Sequence, residues 1–251
     1  MSQTQKIALV TGGTRGIGLA TVVQLLAQGH VVIATGRTAR MHGEVPREVQ
    51  ARLHVTAFDF EHTDGIAAFA QDIEQTFGVV QILVNNAGVS LKNDQGQSNT
   101  VRNTSAQEFN RTMRINTLAP MLLTQQFLPG MQDKGWGRIV NIASVAGRTK
   151  TMVSGPAYMM SKAALIAWTR AVALEMAPFG IVCNAVAPGR VLTDMAMQGG
   201  EALNARLAKA TPVGRIGAPQ EIAHAVAMLC AEEAAFTTGA CLDVNGGVFM
   251  N

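Results

Sequence analysis

Seven short aliphatic runs, separated by longer Ala- and Leu-rich stretches, constrain this chain more than any other feature of it. The runs are Lys6–Val10, Val31–Thr35, Leu53–Phe58, Ile82–Val84, Arg138–Ile142, Val182–Val186 and Cys241–Val244. Continuous apolar runs of this length mark strands buried on both faces, as in a parallel sheet covered by helices. Between them, helical patterns are expected at Ile17–Gln28, Thr63–Phe77, Ala106–Met131, Ala157–Met176 and Pro219–Cys230. Alternating β and α elements predict an α/β doubly wound architecture with helices on both faces of the sheet. No Ser/Gly linker, composition shift or repeat divides the sequence, so one domain over residues 1–251 is expected.

Composition agrees with this class and removes others. Hydrophobic residues make up 48% and charged residues 15%, which excludes a disordered chain. Aromatics are only 5%, so the core must be built from Ala, Val, Ile, Leu and Met. A formal net charge of +3 is too small and scattered to predict nucleic acid or an anionic membrane as partner. Cys183, Cys230 and Cys241 sit in apolar runs without metal spacing and read as buried small hydrophobes in a reducing compartment. No apolar run approaches the roughly 18 to 20 residues that span a bilayer, and the N-terminal segment runs straight into a strand. A soluble, cytoplasmic protein is expected.

After the first strand the chain reads Thr11-Gly12-Gly13-Thr14-Arg15-Gly16-Ile17-Gly18 and enters a helix. Glycines there allow a sharp turn and bring backbone N–H groups and a helix N-terminus against a pyrophosphate. No Lys-Ser/Thr follows, so this is not a P-loop. The second strand ends Ala34-Thr35-Gly36-Arg37-Thr38, without the carboxylate that usually holds a ribose 2′-hydroxyl. Arg37, with Arg15 in the glycine turn, would instead suit a 2′-phosphate, favouring NADP(H) over NAD(H).

Ser144 closes the fifth strand, and fourteen residues later comes Tyr158, the single tyrosine of the chain, followed by Lys162. Tyr158 and Lys162 stand at i and i+4 on one helix face. A nearby ammonium is expected to lower the phenol pKa and so create a general acid/base near neutral pH. Taken bare, such a pair is a common helix-surface feature; its position after a strand-end serine is what singles it out.

Together these motifs resemble the short-chain dehydrogenase/reductase family, in its branch of about 250 residues, over nearly the whole chain. Thr11, Gly12, Gly16 and Gly18 match its glycine turn, Asp59 its adenine-side acid, and Asn85-Asn86-Ala87-Gly88 its NNAG motif. Asn116, Ser144, Tyr158 and Lys162 match its four catalytic positions, and Pro188-Gly189 with Thr193 its nicotinamide-side turn. The resemblance implies a seven-stranded, mostly parallel Rossmann-type sheet and a cofactor site of Gly12, Thr14, Arg15, Gly16, Ile17, Gly18, Arg37, Asp59, Phe60, Asn86, Ala87, Gly88, Tyr158, Lys162, Pro188, Gly189, Val191 and Thr193. It also implies roles. Tyr158 would protonate the reduced carbonyl, and Ser144 would hold the carbonyl oxygen. Lys162 would bind the nicotinamide ribose, and Asn116 would anchor a relay water. No metal is implied.

The implied activity is NADPH-dependent reduction of a ketone, in the manner of 3-oxoacyl-carrier-protein reductases, with a small carbonyl or alcohol substrate and a possible acyl thioester. Oxidation of a hydroxylated metabolite, and a dinucleotide-binding sensor without turnover, are the alternatives. A homotetramer is implied, paired through the helices at Ala106–Met131 and Ala157–Met176. A flap over about residues 190–215, hinged near Gly199-Gly200, would cover the substrate, with Met152, Val153, Met195 and Met197 either lining it or packing in the core. The polar stretch Ser90–Ser105 is either substrate-facing or a solvated insertion, and the crossover Arg37–Arg52, with Gly43 and Pro46, leaves room for only a short helix.

Overall fold

A computed structural model describes residues 5–93, 95–149, 151 and 153–250. Its centre is a seven-stranded sheet made of β1 (Ile7–Val10), β2 (Val31–Gly36), β3 (Leu53–Ala57), β4 (Val80–Asn85), β5 (Gly137–Ile142), β6 (Ile181–Pro188) and β7 (Cys241–Val244). The order is β3-β2-β1-β4-β5-β6-β7, and all six neighbouring pairs are parallel. The winding reverses between β1 and β4. That switch point opens a crevice at the carboxyl ends of the strands, where ligands bind in such sheets.

The period of two along each strand divides the core into two layers. Ala8, Val10, Ile82, Val84 and Val140 face α1 (Gly16–Ala27) and α8 (Pro219–Cys230), meeting Val22, Leu25, Leu26, Ile222, Val226 and Leu229. Leu9, Leu83 and Ile139 point the other way, toward α2 (Ile66–Phe77) and two further helices, and pack with Ile73, Leu123, Phe127 and Met176. Aliphatic side chains fill most of both layers, and three of the aromatics cluster together, where Phe58 stacks on Phe69 at 4.4 Å and meets Phe60 edge-on at 4.9 Å.

Two connections depart from the periodic pattern. The crossover between β2 and β3 carries only a six-residue 3₁₀ segment, Arg47–Arg52, as its Gly and Pro content foretells. The long helix expected at Ala106–Met131 is divided into α3 (Ala106–Met113), a π-helical turn at Arg114–Leu118, and α4 (Ala119–Lys134). The remaining helices are α5 (Pro156–Met176), α6 (Asp194–Met197) and α7 (Glu201–Ala210). The last two lie in the stretch expected to form a flap. No helix among the described residues is long and apolar enough to cross a membrane.

Helix α1 sits so close to the glycine turn that a Cβ on Gly18 would run into the Gly12 carbonyl and come within 2.5 Å of the Asn86 amide nitrogen. Gly18→Ala is therefore expected to cost about 1–3 kcal/mol, read as a lower urea midpoint. An unchanged midpoint would show that the helix can retreat freely.

Candidate active site

The switch-point crevice is stitched together by polar bonds between two loops. Thr11, just past β1, accepts the Asn86 and Ala87 backbone N–H groups on its hydroxyl, both at 2.9 Å. Asn86 in turn donates its side-chain amide to the carbonyls of Thr11 and Gly12, at 2.9 and 3.0 Å. The turn then runs through Gly12 at φ +61° and Gly16 at φ +55°, conformations that glycine adopts without steric cost. Helix α1 starts at Gly16 with no side-chain cap and no acidic residue in its first turn. Its free N–H groups and dipole end thus face the crevice as an anion cradle.

The adenosine-side candidates are distributed unevenly around that cradle. Thr14 is buried, and Gly36 has no room for a side chain because Thr14 Oγ1 lies 2.8 Å from where a Cβ would stand. Arg37 is exposed at the end of β2, with no carboxylate in that turn. Arg15 is also exposed, but its guanidinium points to Asp194 at 3.4 Å, so the two arginines are not joined on one partner. Asp59 is half-buried and accepts the Glu61 backbone N–H at 3.0 Å. Ile17 and Phe60 turn their side chains into the core, leaving their backbone to any ligand.

Ser144, Tyr158 and Lys162 converge at the carboxyl end of β5. Ser144 is extended and accepts the Ala146 N–H at 3.1 Å, which caps the turn Val145–Gly147. Gly147 lies against α5 so tightly that a Cβ would be 2.7 Å from the Lys162 carbonyl carbon. Gly155-Pro156 starts α5, Pro156 filling the first helical position, where its missing N–H costs nothing. One turn in, the Tyr158 phenol meets the Ser144 side chain. Lys162 is only 4% exposed; its ammonium donates to the Ile142 carbonyl at 2.7 Å and lies 5.7 Å from the Tyr158 ring centre.

Burial dominates the protonation of both groups. It lowers Lys162 to about 8. It raises the Tyr158 phenol, with the Ser144 hydrogen bond opposing it. The phenol therefore moves in the direction opposite to the one expected from the Tyr/Lys pairing. The ammonium is committed to a neutral carbonyl, and desolvation outweighs its influence on the ring.

Asn116 occupies the π-helical turn and is fully buried. Its side-chain oxygen accepts the Val89 N–H at 2.8 Å, while its amide donates to the Val89 carbonyl at 2.9 Å and to Ser161 Oγ at 3.0 Å. Ser161 passes the contact on, donating to the Tyr158 carbonyl at 2.8 Å. Asn116 thus ties the loop after β4 to α5. With both amide protons spent, its side chain has no N–H left for a water. Between Asn116 and Lys162 lies Gly88, where a Cβ would come within 3.3 Å of Asn116 Oδ1 and 3.4 Å of Lys162 Nζ. Its absence leaves a cradle beside the ammonium.

The β6 exit closes the site. Gly189 donates to the Val244 carbonyl at 3.1 Å, Val191 bridges to Gly217, and Pro188 ends the strand. Thr193 caps α6 and approaches within 3.3 Å of the place a Gly16 Cβ would take. Met195 and Met197 are exposed, Val153 is half-buried, and Met152 lies outside the described residues. The polar stretch Ser90–Ser105 docks on the segment leading to Tyr158: Lys92 and Ser98 both donate to the Val153 carbonyl, at 3.3 and 3.0 Å.

Two contributors escaped the sequence reading. Asn141 on β5 accepts from Asn85 at 2.8 Å and donates to Thr169 at 2.9 Å, joining β4, β5 and α5 through buried polar groups. Ser161 is the other, and its position beside Lys162 is the only sequence signal it carries. Among the described residues no three His, Cys, Asp or Glu side chains gather as a metal site.

Comparison with known proteins finds relatives along the whole chain. A family model described as enoyl-(acyl carrier protein) reductase matches residues 12–249. The chain is 36% identical over 248 residues to a 3-oxoacyl-[acyl-carrier-protein] reductase of Aquifex aeolicus, covering 97% of each. It is 37% identical over 254 residues to the corresponding reductase of Vibrio cholerae, covering 100% of each. Among solved structures, a 3-oxoacyl-[acyl-carrier protein] reductase from Brucella melitensis superposes with a TM-score of 0.89 at 31% identity, over 100% of this chain and 93% of that one. A second structure from Brucella melitensis, a reductase of the same name with bound NAD, gives a TM-score of 0.87 at 31% identity and the same coverage.

The buried ammonium can be checked directly. With ¹³C-labelled lysine, one Nζ-adjacent methylene is expected to titrate near pH 8, and to vanish in Lys162→Met. Titration of every lysine in the ordinary range would contradict the burial described.

Proposed function

The chain belongs to the short-chain dehydrogenase/reductase family of oxidoreductases, and from that premise we propose that it uses NADPH to reduce a ketone, carried on a 3-oxoacyl thioester, to a secondary alcohol. The observation that carries this reading is the convergence of Ser144, Tyr158 and the buried Lys162 at the end of β5. The names of the relatives supply the substrate class.

The residues present fit a dinucleotide. The uncapped start of α1 would take the pyrophosphate, and the cradle at Gly88 leaves space beside Lys162 for the ribose of the nicotinamide half. The bound NAD in a structural neighbour supports a dinucleotide, and the turn at Arg37 supports its phosphorylated form. NADPH, when bound, supplies the hydride. Ser144 would donate its hydroxyl to the ketone oxygen and fix its position. Tyr158 would hold the proton that the oxygen needs as charge develops on it, and burial keeps the phenol in that acid form. Lys162 would keep a positive charge behind the phenol in its cationic form. Asn116, through its bonds to Val89 and Ser161, would hold these elements in register rather than touch the substrate.

The same reading extends to assembly and setting. Leu118, Met160, Leu174 and Phe179 are exposed apolar residues on or beside the π-helical turn and α5, while Phe236, Met228 and Met250 are exposed elsewhere. Such surfaces support a homotetramer in which they are covered. The free cysteines support a reducing, cytoplasmic setting.

Tyr158→Phe is expected to lower kcat on a 3-oxoacyl thioester by about 10²–10⁴-fold, the range of a lost general acid, with NADPH binding nearly unchanged by fluorescence titration. Retained turnover would remove Tyr158 from the acid role. The kcat/KM for NADPH is expected to exceed that for NADH by about tenfold or more, and Arg37→Asp to reverse the order, as loss of a charge-assisted contact requires. A wild-type preference for NADH would overturn the cofactor assignment.

A further inference from the structure

The sheet order places β5 between β4 and β6, so the loops leaving β4 and β6 flank the end of β5, where Ser144 stands. Each of those loops carries a half-buried cation. Lys92 follows Gly88 in the β4 loop, and Arg190 follows Pro188-Gly189 at the β6 exit. Lys92 donates to Ser98 Oγ at 2.8 Å and to the Val153 carbonyl at 3.3 Å, just ahead of Tyr158. Arg190 donates to the Ala196 carbonyl at 2.5 Å and, through Nη2 and Nε, to Asn204 Oδ1 at 2.8 and 3.0 Å. Every one of these acceptors is neutral.

Among the described residues neither cation has a carboxylate within ion-pair distance; the chain's ion pairs lie elsewhere, at Lys6, Arg15, Arg111, Arg148 and Arg215. Burial lowers the pKa of both groups, and the Arg190 charge depresses Lys92 further. Two half-buried like charges with no counter-charge among the described residues are costly to keep. Donors also remain. Among the described residues Lys92 uses two of the three protons of its ammonium, and the Nη1 edge of Arg190 makes no bond.

We infer that the ketone substrate carries an anionic group, a carboxylate or a phosphate, which Lys92 and Arg190 hold at the rim of the Ser144–Tyr158 site. This specificity rests on the ketone-reductase reading and narrows it: a neutral ketone of the same shape is a poor substrate. Arg190 has a second task, because its bonds to Ala196 and Asn204 fasten the segment carrying α6 and α7 above the site. Anion binding and the placement of that segment thus meet at one side chain.

The test compares two matched pairs with NADPH: a 3-oxo acid against its methyl ester, and a 3-oxobutanoyl pantetheine thioester with and without its 4′-phosphate. Wild type is expected to prefer the anionic member of at least one pair by about tenfold or more in kcat/KM, and which pair responds identifies the anion as carboxylate or phosphate. Lys92→Met should shrink that preference about tenfold to a hundredfold, the range for one charge-assisted hydrogen bond, and Lys92→Arg should keep most of it. Equal rates within both pairs, or equal losses on charged and neutral members, would overturn the inference and leave the ketone-reductase reading standing. If no member of the panel is reduced, that reading fails, and calorimetry with a 3-hydroxy acid and with inorganic phosphate on the NADP-loaded protein decides the anion site. Binding weakened about tenfold in Lys92→Met supports it, and no binding of either overturns it.

Discussion

Burial of the Lys162 ammonium against a single neutral carbonyl sets the terms for everything around it. A cation that is 4% exposed, with the Ile142 carbonyl as its anchor, is expensive in any protein interior, and its pKa of about 8 records that expense. The surroundings are arranged to keep it there. Gly147 lets the Ser144 turn lie directly on α5, Gly88 leaves a cradle beside the ammonium, and Asn116 locks the β4 loop to the same helix. The same dry environment raises Tyr158. Both shifts favour the uncharged partner, which for the phenol is the protonated form that a carbonyl reduction consumes.

A second constraint lies at the switch point. Parallel strands leave their carboxyl ends pointing one way, and the reversal between β1 and β4 makes the two adjacent loops diverge. Thr11 and Asn86 bridge that divergence with four hydrogen bonds, so the glycine turn and the NNAG segment behave as one unit. Polar groups which in another loop would face water are spent on geometry. What the crevice offers a ligand is chiefly backbone N–H.

Strands are the most legible part of the chain because burial on both faces writes itself as an apolar run, and the run Val31–Thr35 falls within the observed strand Val31–Gly36. The juxtaposition of Ser144, Tyr158 and Lys162 was legible for a similar reason: a strand end, a turn with Pro and a helical i, i+4 spacing are local signals. Features made by distant partners were not. The π-helical turn carries Asn116, whose partners Val89 and Ser161 are distant in sequence, and nothing in Arg114–Leu118 announces it. Arg138 reads as the polar start of a strand, yet it is 2% exposed and satisfied by carbonyls of Gly137, Gly180, Ala231 and Glu232 while lying 4.2 Å from the Trp136 ring centre. The direction of the Tyr158 shift is likewise illegible locally, because it is set by desolvation and not by the lysine one turn away.

The central claim is that this site reduces a ketone with NADPH, and one measurement meets it head on. Wild-type protein is mixed with NADPH and a 3-oxoacyl thioester, and the near-ultraviolet absorbance of the reduced nicotinamide is followed alongside product analysis. The account predicts loss of absorbance matched mole for mole by 3-hydroxyacyl thioester. Stable absorbance with the thioester and with simple ketones, from protein that demonstrably binds NADPH, would contradict it.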